Sequence, residues 1–545
     1  MVPTKAEVPY GLGSLTRKQA NFSLSIPFYA RMPRTRTTLR PPFLSSLLAA
    51  ILGIVLTACT SKPPEMAANL GADTPPTGWT ADAAEGTVPD NWLASFDDPT
   101  LTALVEEALA ANPDLAASAA RLEAALAQSR QSRARLFPVL NATASANRTT
   151  YGESPPLPVE VDGEVPTLPA NQDTLGMGLQ SQWEVDLWQR LSNAARASAR
   201  SAQATAADYA YARQSLAAQV AKAYFQVLVA RDQLALSRQF VENARESDRI
   251  AQLRFRAGDV SAQDTLTAEA DLADARSREE ETLQAYRQAV RALEILVGRY
   301  PADALQPTAD LDTKLSPVPA GQPAQILERR PDLVAAERRV QAAFRLARSA
   351  SAARLPQISL TAEASTSGPG IGDLFDPTTS LAKLGSSLFQ PLFDAGLLQA
   401  QFEEATAEQR ASMESYRTAA LRAFLEAEDA LSAEKTLRAR QDSLRKAANA
   451  YTKATAIARQ RYQEGDTSLT AYLDSQRQSL RARSSLITIS GTRLTNRVDL
   501  FLALGGNFAS GPIPSEPSPP PADTAATAAA VDSSSSPGDA PAPSS

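Results

Sequence analysis

The 545-residue chain holds no histidine and one cysteine, Cys59, so the groups left to do chemistry are carboxylates, guanidiniums, hydroxyls and a single thiol. Without histidine there is no Ser-His-Asp or Cys-His nucleophile. The common zinc sites, built from clustered His and Cys, are excluded as well. One thiol forms no intrachain disulfide. Asp and Glu are plentiful, but they sit on helical faces with no pocket signature, so the chain does not read as an enzyme and no cofactor is expected. A formal net charge of −6 leaves no basic footprint for nucleic acid. The charged residues are left with electrostatics. Thr470, Asp474, Arg477 and Arg481 fall at i, i+4, i+7 and i+11, one stripe of a helix. Copies of that stripe around an axis form rings. A ring of Asp474 carboxylates repels anions and attracts cations. The same stripe also reads as solvated coiled-coil charge.

The lone Cys59 closes an apolar run. Phe43 to Ala58 (FLSSLLAAILGIVLTA) is shorter than the ~20 residues a membrane helix needs, and Arg34, Arg36 and Arg40 precede it. Residues 1–58 therefore read as a signal peptide, with translation expected to start at Met32. The run ends Leu56-Thr57-Ala58-Cys59, which resembles a bacterial lipobox. That resemblance implies S-diacylglycerol on the Cys59 thiol, cleavage before it and N-acylation of the new amino group. The alternative is an ordinary secretory signal with an incidental cysteine. Thr60 rather than Asp follows, which by resemblance to enterobacterial sorting favours the outer membrane. Residues 59–90 read as a lipidated, extended tether. Residues 509–545 are low in complexity, lack Lys and Arg, and read as a disordered tail.

Between these ends the chain repeats itself. Asn112-Pro113-Asp114-Leu115 recurs as Arg330-Pro331-Asp332-Leu333, a shift of 218, which also carries Leu136-Phe137-Pro138 onto Arg354-Leu355-Pro356. Arg254 to Asp259 recurs as Arg461 to Asp466, a shift of 207, which carries Leu266 to Leu473 and Gly298 to Gly505. Several colinear matches indicate two copies of one large unit, 91–300 and 301–508, rather than a short-period solenoid. Each copy opens with an Ala-rich helix, expected at 101–135 and 324–353, stopped by Pro138 or Pro356. Strict alternation follows: Leu140, Ala142, Ala144 and Ala146, then Ile358, Leu360, Ala362 and Ala364, interleaved with polar residues. That is the period of a two-faced strand. After a turn-rich loop a second strand returns, from about Leu175 to Leu187 and, less regularly, over 380–393. Long helical patterns come next. Residues 190–256 lack Pro and Gly and span ~100 Å if continuous. Gly258 and Gly465 break the pattern before helices at 262–297 and 468–504. Gly stops a helix at positive φ, and the Asp or Ser of Gly258-Asp259-Val260-Ser261 and Gly465-Asp466-Thr467-Ser468 caps the next one.

No apolar run in the body is long enough for a membrane helix, so a membrane crossing requires a β-barrel. Strands of about ten residues fit that crossing. Four strands cannot close a barrel, and the smallest membrane barrels have ~8. An eight-stranded interior is filled by side chains, so a conduit shared between chains points to three copies or more. A cytoplasmic coiled-coil rod explains neither the strands nor the signal peptide.

The body resembles the outer-membrane efflux protein family, the TolC-like and OprM-like channels. The resemblance rests on Trp92 to Leu101, Val318-Pro319-Ala320-Gly321 with Leu327 to Leu333, Trp183 to Trp188, Gln390 to Gly396 and Leu504-Gly505-Gly506, in order across most of 91–508. It implies a mainly α protein with a membrane β-barrel. Three copies would form a 12-stranded β-barrel continuous with a 12-helix periplasmic α-barrel, with a mixed equatorial belt. It implies a homotrimer in outer-membrane lipid. The implied partners are a periplasmic adaptor (a membrane fusion protein) and an inner-membrane pump of the resistance-nodulation-division type. The implied function is passive conduction of small molecules, gated at the hairpin ends. In OprM-like relatives the position matching Asp474 lines the periplasmic constriction, and positions matching Asp264, Tyr462 and Arg477 link neighbouring helices. Some relatives close with a Leu ring where this chain has Thr470, and a hydroxyl ring dewets a constriction less well. The tips at Gly258, Asp259, Gly465 and Asp466 are, by the same resemblance, where the adaptor docks. An exit duct for type I protein secretion shares the fold. A trimeric surface rod is the remaining alternative and predicts no conductance.

Overall fold

The computed structural model describes residues 77–81, 84, 86–152, 171–313 and 315–508. The expected signal segment, lipidated Cys59 and tail lie outside these residues. Helices and strands follow one another as α1 (Pro99–Ala111), α2 (Pro113–Ala134), β1 (Val139–Thr150), β2 (Asn171–Val185), α3 (Arg190–Ala257) and α4 (Ala262–Leu296). The second half runs α5 (Pro331–Ala352), β3 (Gln357–Gly368), β4 (Ser380–Phe389), α6 (Leu397–Glu464) and α7 (Leu469–Ala503). No described helix is long and apolar enough to cross a membrane.

The duplication is visible in element lengths. α2 and α5 each have 22 residues, α3 and α6 each have 68, and α4 and α7 each have 35. Equivalent residues are 218 apart up to β1 and β3 and 207 apart from α3 and α6 onward, so the difference falls within the hairpins. There β2 has 15 residues and β4 only 10. The expected strand over 380–393 stops at Phe389 because Pro391 has no N–H to donate to a ladder.

The helix expected over 101–135 is two helices. Pro113 pushes the residue before it out of the helical region, and Asn112 sits at φ −69°, ψ 124°. The Asn112 side chain then accepts from Leu115 N at 3.0 Å and donates to Leu296 O at 2.9 Å, so the break caps α2 and ties it to α4. The second copy breaks in the same way: a single turn, Ile326–Arg329, precedes extended Arg330 and α5.

The four strands form one antiparallel sheet in the order β1-β2-β3-β4. The register brings the alternation into line: Ala142 faces Leu179, which faces Ala364, which faces Ala382. Leu140, Met177, Leu179, Trp183, Leu360, Leu384 and Leu388 thus share one face. Asn141, Thr143, Gln180, Gln182, Glu184, Thr361 and Glu363 share the other. Both outer strands, β1 and β4, are exposed along their whole length. The sheet is open, with an apolar face and two unpaired edges.

The packed core lies midway along the long helices, where the two halves meet. Trp92 stacks on Phe501 with ring centroids 5.8 Å apart, and Phe96 packs on Phe225 at 5.1 Å. The Tyr224 hydroxyl donates to Asp98 Oδ2 at 2.5 Å while Asp98 Oδ1 caps α1. Arg330, almost fully buried, pairs with Asp332 and Glu426, and these carboxylates hold its pKa above the usual guanidinium value against the opposing effect of burial. The segment read as an extended tether is docked here over its described part. Trp79 Nε1 donates to Gly321 O at 3.1 Å, Glu428 accepts from Thr80 N and Ala81 N, and Ala84 pairs with Pro319.

Candidate functional site

The ends of α3 and α6 farthest from the sheet carry the candidate residues. Gly258 and Gly465 end these helices at φ 84° and 87°, where L-residues are strained. Asp259 N closes the first turn onto Arg254 O at 2.9 Å, and Asp466 N closes the second onto Arg461 O at 2.8 Å. Ser261 and Asp264 form a reciprocal capping box that starts α4. Ser468 caps α7 through Ala471 N at 3.3 Å.

The two tips are fastened together. Arg254 Nη1 donates to Tyr462 O at 2.7 Å, and its guanidinium lies 5.3 Å from the centre of the Tyr462 ring. Tyr462 is buried among Ala251, Ala268, Leu469, Tyr472 and Leu473, and stacks on Tyr472 with centroids 5.7 Å apart. Its hydroxyl is buried and has no hydrogen-bond partner among the described residues. Burial raises the pKa of that phenol; Asp264 and Tyr472 add to the rise, and Arg254 opposes it.

Just over two turns into α7, Arg477 bridges two helices. Its Nη2 reaches Asp271 Oδ1 of α4 at 3.0 Å and its Nη1 reaches Asp474 Oδ1 at 3.2 Å. Asp271 is nearly out of water, with 7% of its side chain exposed, while Asp474 keeps 59%. Thr470, Asp474 and Arg481 are exposed along one side of α7, as the stripe requires.

Asp264 lies close enough to Tyr462 to act on its phenol, but Asp264, Tyr462 and Arg477 bond to different partners within the chain: Ser261, Arg254 and Asp271 respectively. Asp271 and Arg254 were not singled out by sequence reasoning. The signal for Asp271 was its spacing, seven residues after Asp264 on the same side of α4.

An open four-stranded sheet with one apolar face, continued by two 68-residue helices that turn back at capped tips, defines a protomer of the TolC-like outer-membrane channels. The profile described as outer membrane efflux protein matches residues 104–299 and again 323–506, and the chain belongs to that family. It is 32% identical to the outer membrane protein OprJ of Pseudomonas aeruginosa over 85% of this chain and 96% of that one. It is 33% identical to the probable efflux pump outer membrane protein TtgC of Pseudomonas putida over 76% of this chain and 85% of that one. Among solved structures it resembles the outer-membrane channel OprN, with TM-score 0.72, 28% identity and coverage of 83% of this chain and 97% of that one. It also resembles the Campylobacter jejuni CmeC channel, with TM-score 0.73, 26% identity and coverage of 83% and 95%. The chain is an outer-membrane efflux channel protein.

Proposed function

We propose that three copies close the open sheet into a 12-stranded barrel and continue it as a 12-helix tube, which passively conducts small molecules out of the cell. The observation that carries this reading is the sheet itself: unpaired edges on β1 and β4 and a single apolar face. Unpaired edges are not tolerated in lipid, so they pair with further strands, and an extended apolar face is not tolerated in water, so it meets lipid. Edge β1 of one copy meets edge β4 of the next, the apolar face turns to lipid and the polar face lines the pore. Each 68-residue helix spans ~100 Å, long enough to carry the duct deep into the periplasm.

An energised pump supplies the driving force, and relatives named as efflux pump components support that partnership. The assigned partners are an inner-membrane resistance-nodulation-division pump and a periplasmic adaptor that grips the tips around Gly258, Asp259, Gly465 and Asp466. Asp474 and Thr470 line the constriction, with Arg477 orienting the carboxylate and Tyr462 and Asp264 linking neighbouring helices at the hairpin ends. Cys59 carries the lipid. Chain length supports that anchor. The docking point at Glu428 is 31 residues into α6, ~46 Å from its membrane end. The 21 residues from Cys59 to Thr80 extend up to ~70 Å.

Single-channel recording in planar bilayers tests the reading. Wild type is expected to conduct with a preference for cations, and Asp474→Ala to lose part of that preference with the channel intact. Absence of conductance would remove the duct, and unchanged selectivity would remove the carboxylate ring.

A further inference from the structure

Arg196 and Arg200 on α3 and Arg345 and Arg348 on α5 form a basic cluster, and none of them pairs with a carboxylate among the described residues. Arg200 Nη1 donates to Gln203 Oε1 at 2.7 Å, and Arg345 Nη1 reaches Asn193 Oδ1 at 3.4 Å. Arg345 and Arg348 both lie over the Phe344 ring, 5.8 and 6.0 Å from its centre. Burial first, and then the like charges of Arg196, Arg200 and Arg348, pull the Arg345 guanidinium below its usual value. Like charges held together without counter-charges call for an anion.

The direction in which the cluster points follows from the seam between α3 and α5, marked by Ser349 Oγ donating to Arg190 O at 2.9 Å. On one side of that seam Arg339 pairs with Asp208, and Arg190 pairs at 2.6 Å with Glu184. Glu184 belongs to the polar face of β2, so this side continues the polar face of the sheet. At roughly 100° per residue, Arg196 and Arg200 stand roughly 80–120° around α3 from Arg190 and Asp208, and Arg345 and Arg348 roughly 120–180° around α5 from Arg339, which assigns the four arginines to the other flank of the seam, the one that runs on from the apolar face. They also lie close to the sheet. Arg196 and Arg200 are six and ten residues into α3, and Arg348 and Arg345 are four and seven from the end of α5, ~6–15 Å along each helix. The headgroup layer on each side of a bilayer core is itself ~5–8 Å thick. Long arginine side chains bridge the remaining gap by snorkelling.

We infer that this face binds the phosphates of anionic phospholipids in the periplasmic leaflet of the outer membrane, one site per protomer. Guanidinium groups suit it because their planar forks take phosphate oxygens in pairs. The inference rests on the barrel reading only for which face meets lipid.

The test uses full-length protein in nanodiscs of phosphatidylcholine with or without phosphatidylglycerol, followed by detergent extraction and native mass spectrometry of retained lipid. Wild type is expected to retain phosphatidylglycerol over phosphatidylcholine. Each arginine near an anionic surface contributes about fivefold, so Arg345→Gln with Arg348→Gln is expected to cut retention by more than about tenfold. Arg339→Gln, on the opposite side of the seam, is expected to change nothing. Equal retention of the two lipids by wild type, or loss in Arg339→Gln alone, would overturn the inference. If the double variant fails to insert, two further measurements decide. Arg345→Lys with Arg348→Lys should keep the preference in weakened form, and the wild-type preference should fade as salt is raised. A preference indifferent to salt, or an ion selectivity that shifts with these arginines while lipid retention does not, would place the cluster in the pore and sink the proposal. A wild type that retains phosphatidylglycerol but shows no conductance would leave the lipid site standing and count against the duct.

Discussion

At Arg477 two carboxylates of unlike exposure share one guanidinium. Removing Asp474 leaves Arg477 engaged with Asp271, so Asp474→Ala is expected to change stability by less than about 0.5 kcal/mol. Removing Arg477 strands the nearly buried Asp271, and Arg477→Ala is expected to cost about 1–3 kcal/mol, discounted because the arginine is itself partly solvated. Comparing the temperatures at which the two variants lose their assembled form checks the order. Glu294 makes a pH prediction. Burial raises its pKa, but backbone N–H groups of Ala304, Asp303 and Leu305 outweigh that and hold it below its ordinary 4.5. The charged form therefore stabilises the fold above about pH 4.5, and the contribution disappears as pH falls through the folded-state value. Melting curves should show Glu294→Gln less stable than wild type at pH 7, with the gap closing below pH 4.5. The stripe through Thr470, Asp474 and Arg481 was legible because helical spacing alone defines it. Asp271 was not, because which of many helical carboxylates meets Arg477 depends on how α4 lies against α7.

At the level of elements, the tips separate backbone conformation from packing. A side chain at Gly258 would meet nothing within 4 Å, so Gly258→Val carries only the strain of positive φ, about 1–2 kcal/mol. Gly298 also has positive φ, at 82°, and an added Cβ there would lie 2.7 Å from Ala111 O. Gly298→Val is therefore expected to lower folded yield, whereas Gly258→Val folds and assembles but loses efflux through its altered tip. Membrane levels and drug accumulation, measured together, distinguish the two. Normal efflux in Gly258→Val would remove the docking role from that tip. Strands β1 to β3 were readable from their period, because a sheet with one apolar and one polar face enforces strict alternation. The breaks before Pro113 and Pro331 were missed because Ala-rich sequence on both sides keeps the helical pattern going. The docking of Trp79 was hidden by the Pro-, Ala- and Thr-rich composition around it, and only its partners at Ala320 and Gly321 make it structural.

For the whole molecule, the two faces of the sheet make opposite predictions. Leu384 is on the apolar face and Ser387 on the polar one, both on β4. Leu384→Arg is expected to cost about 2–4 kcal/mol of membrane stability, and Ser387→Arg little. The yield of heat-resistant oligomer on gels reads the difference directly. Equal tolerance of both would mean that the sheet does not meet lipid as proposed. The matched helix lengths of the two halves have a consequence for counting. Each protomer ends in two tips built on helices of the same lengths, 68 and 35 residues, each with a positive-φ Gly followed by a Ser cap, although only the first has a capping box. If three protomers form the ring, as proposed, it presents six similar handles. A partner that needs one tip can load six copies, and a partner that must span both tips of a pair can load only three.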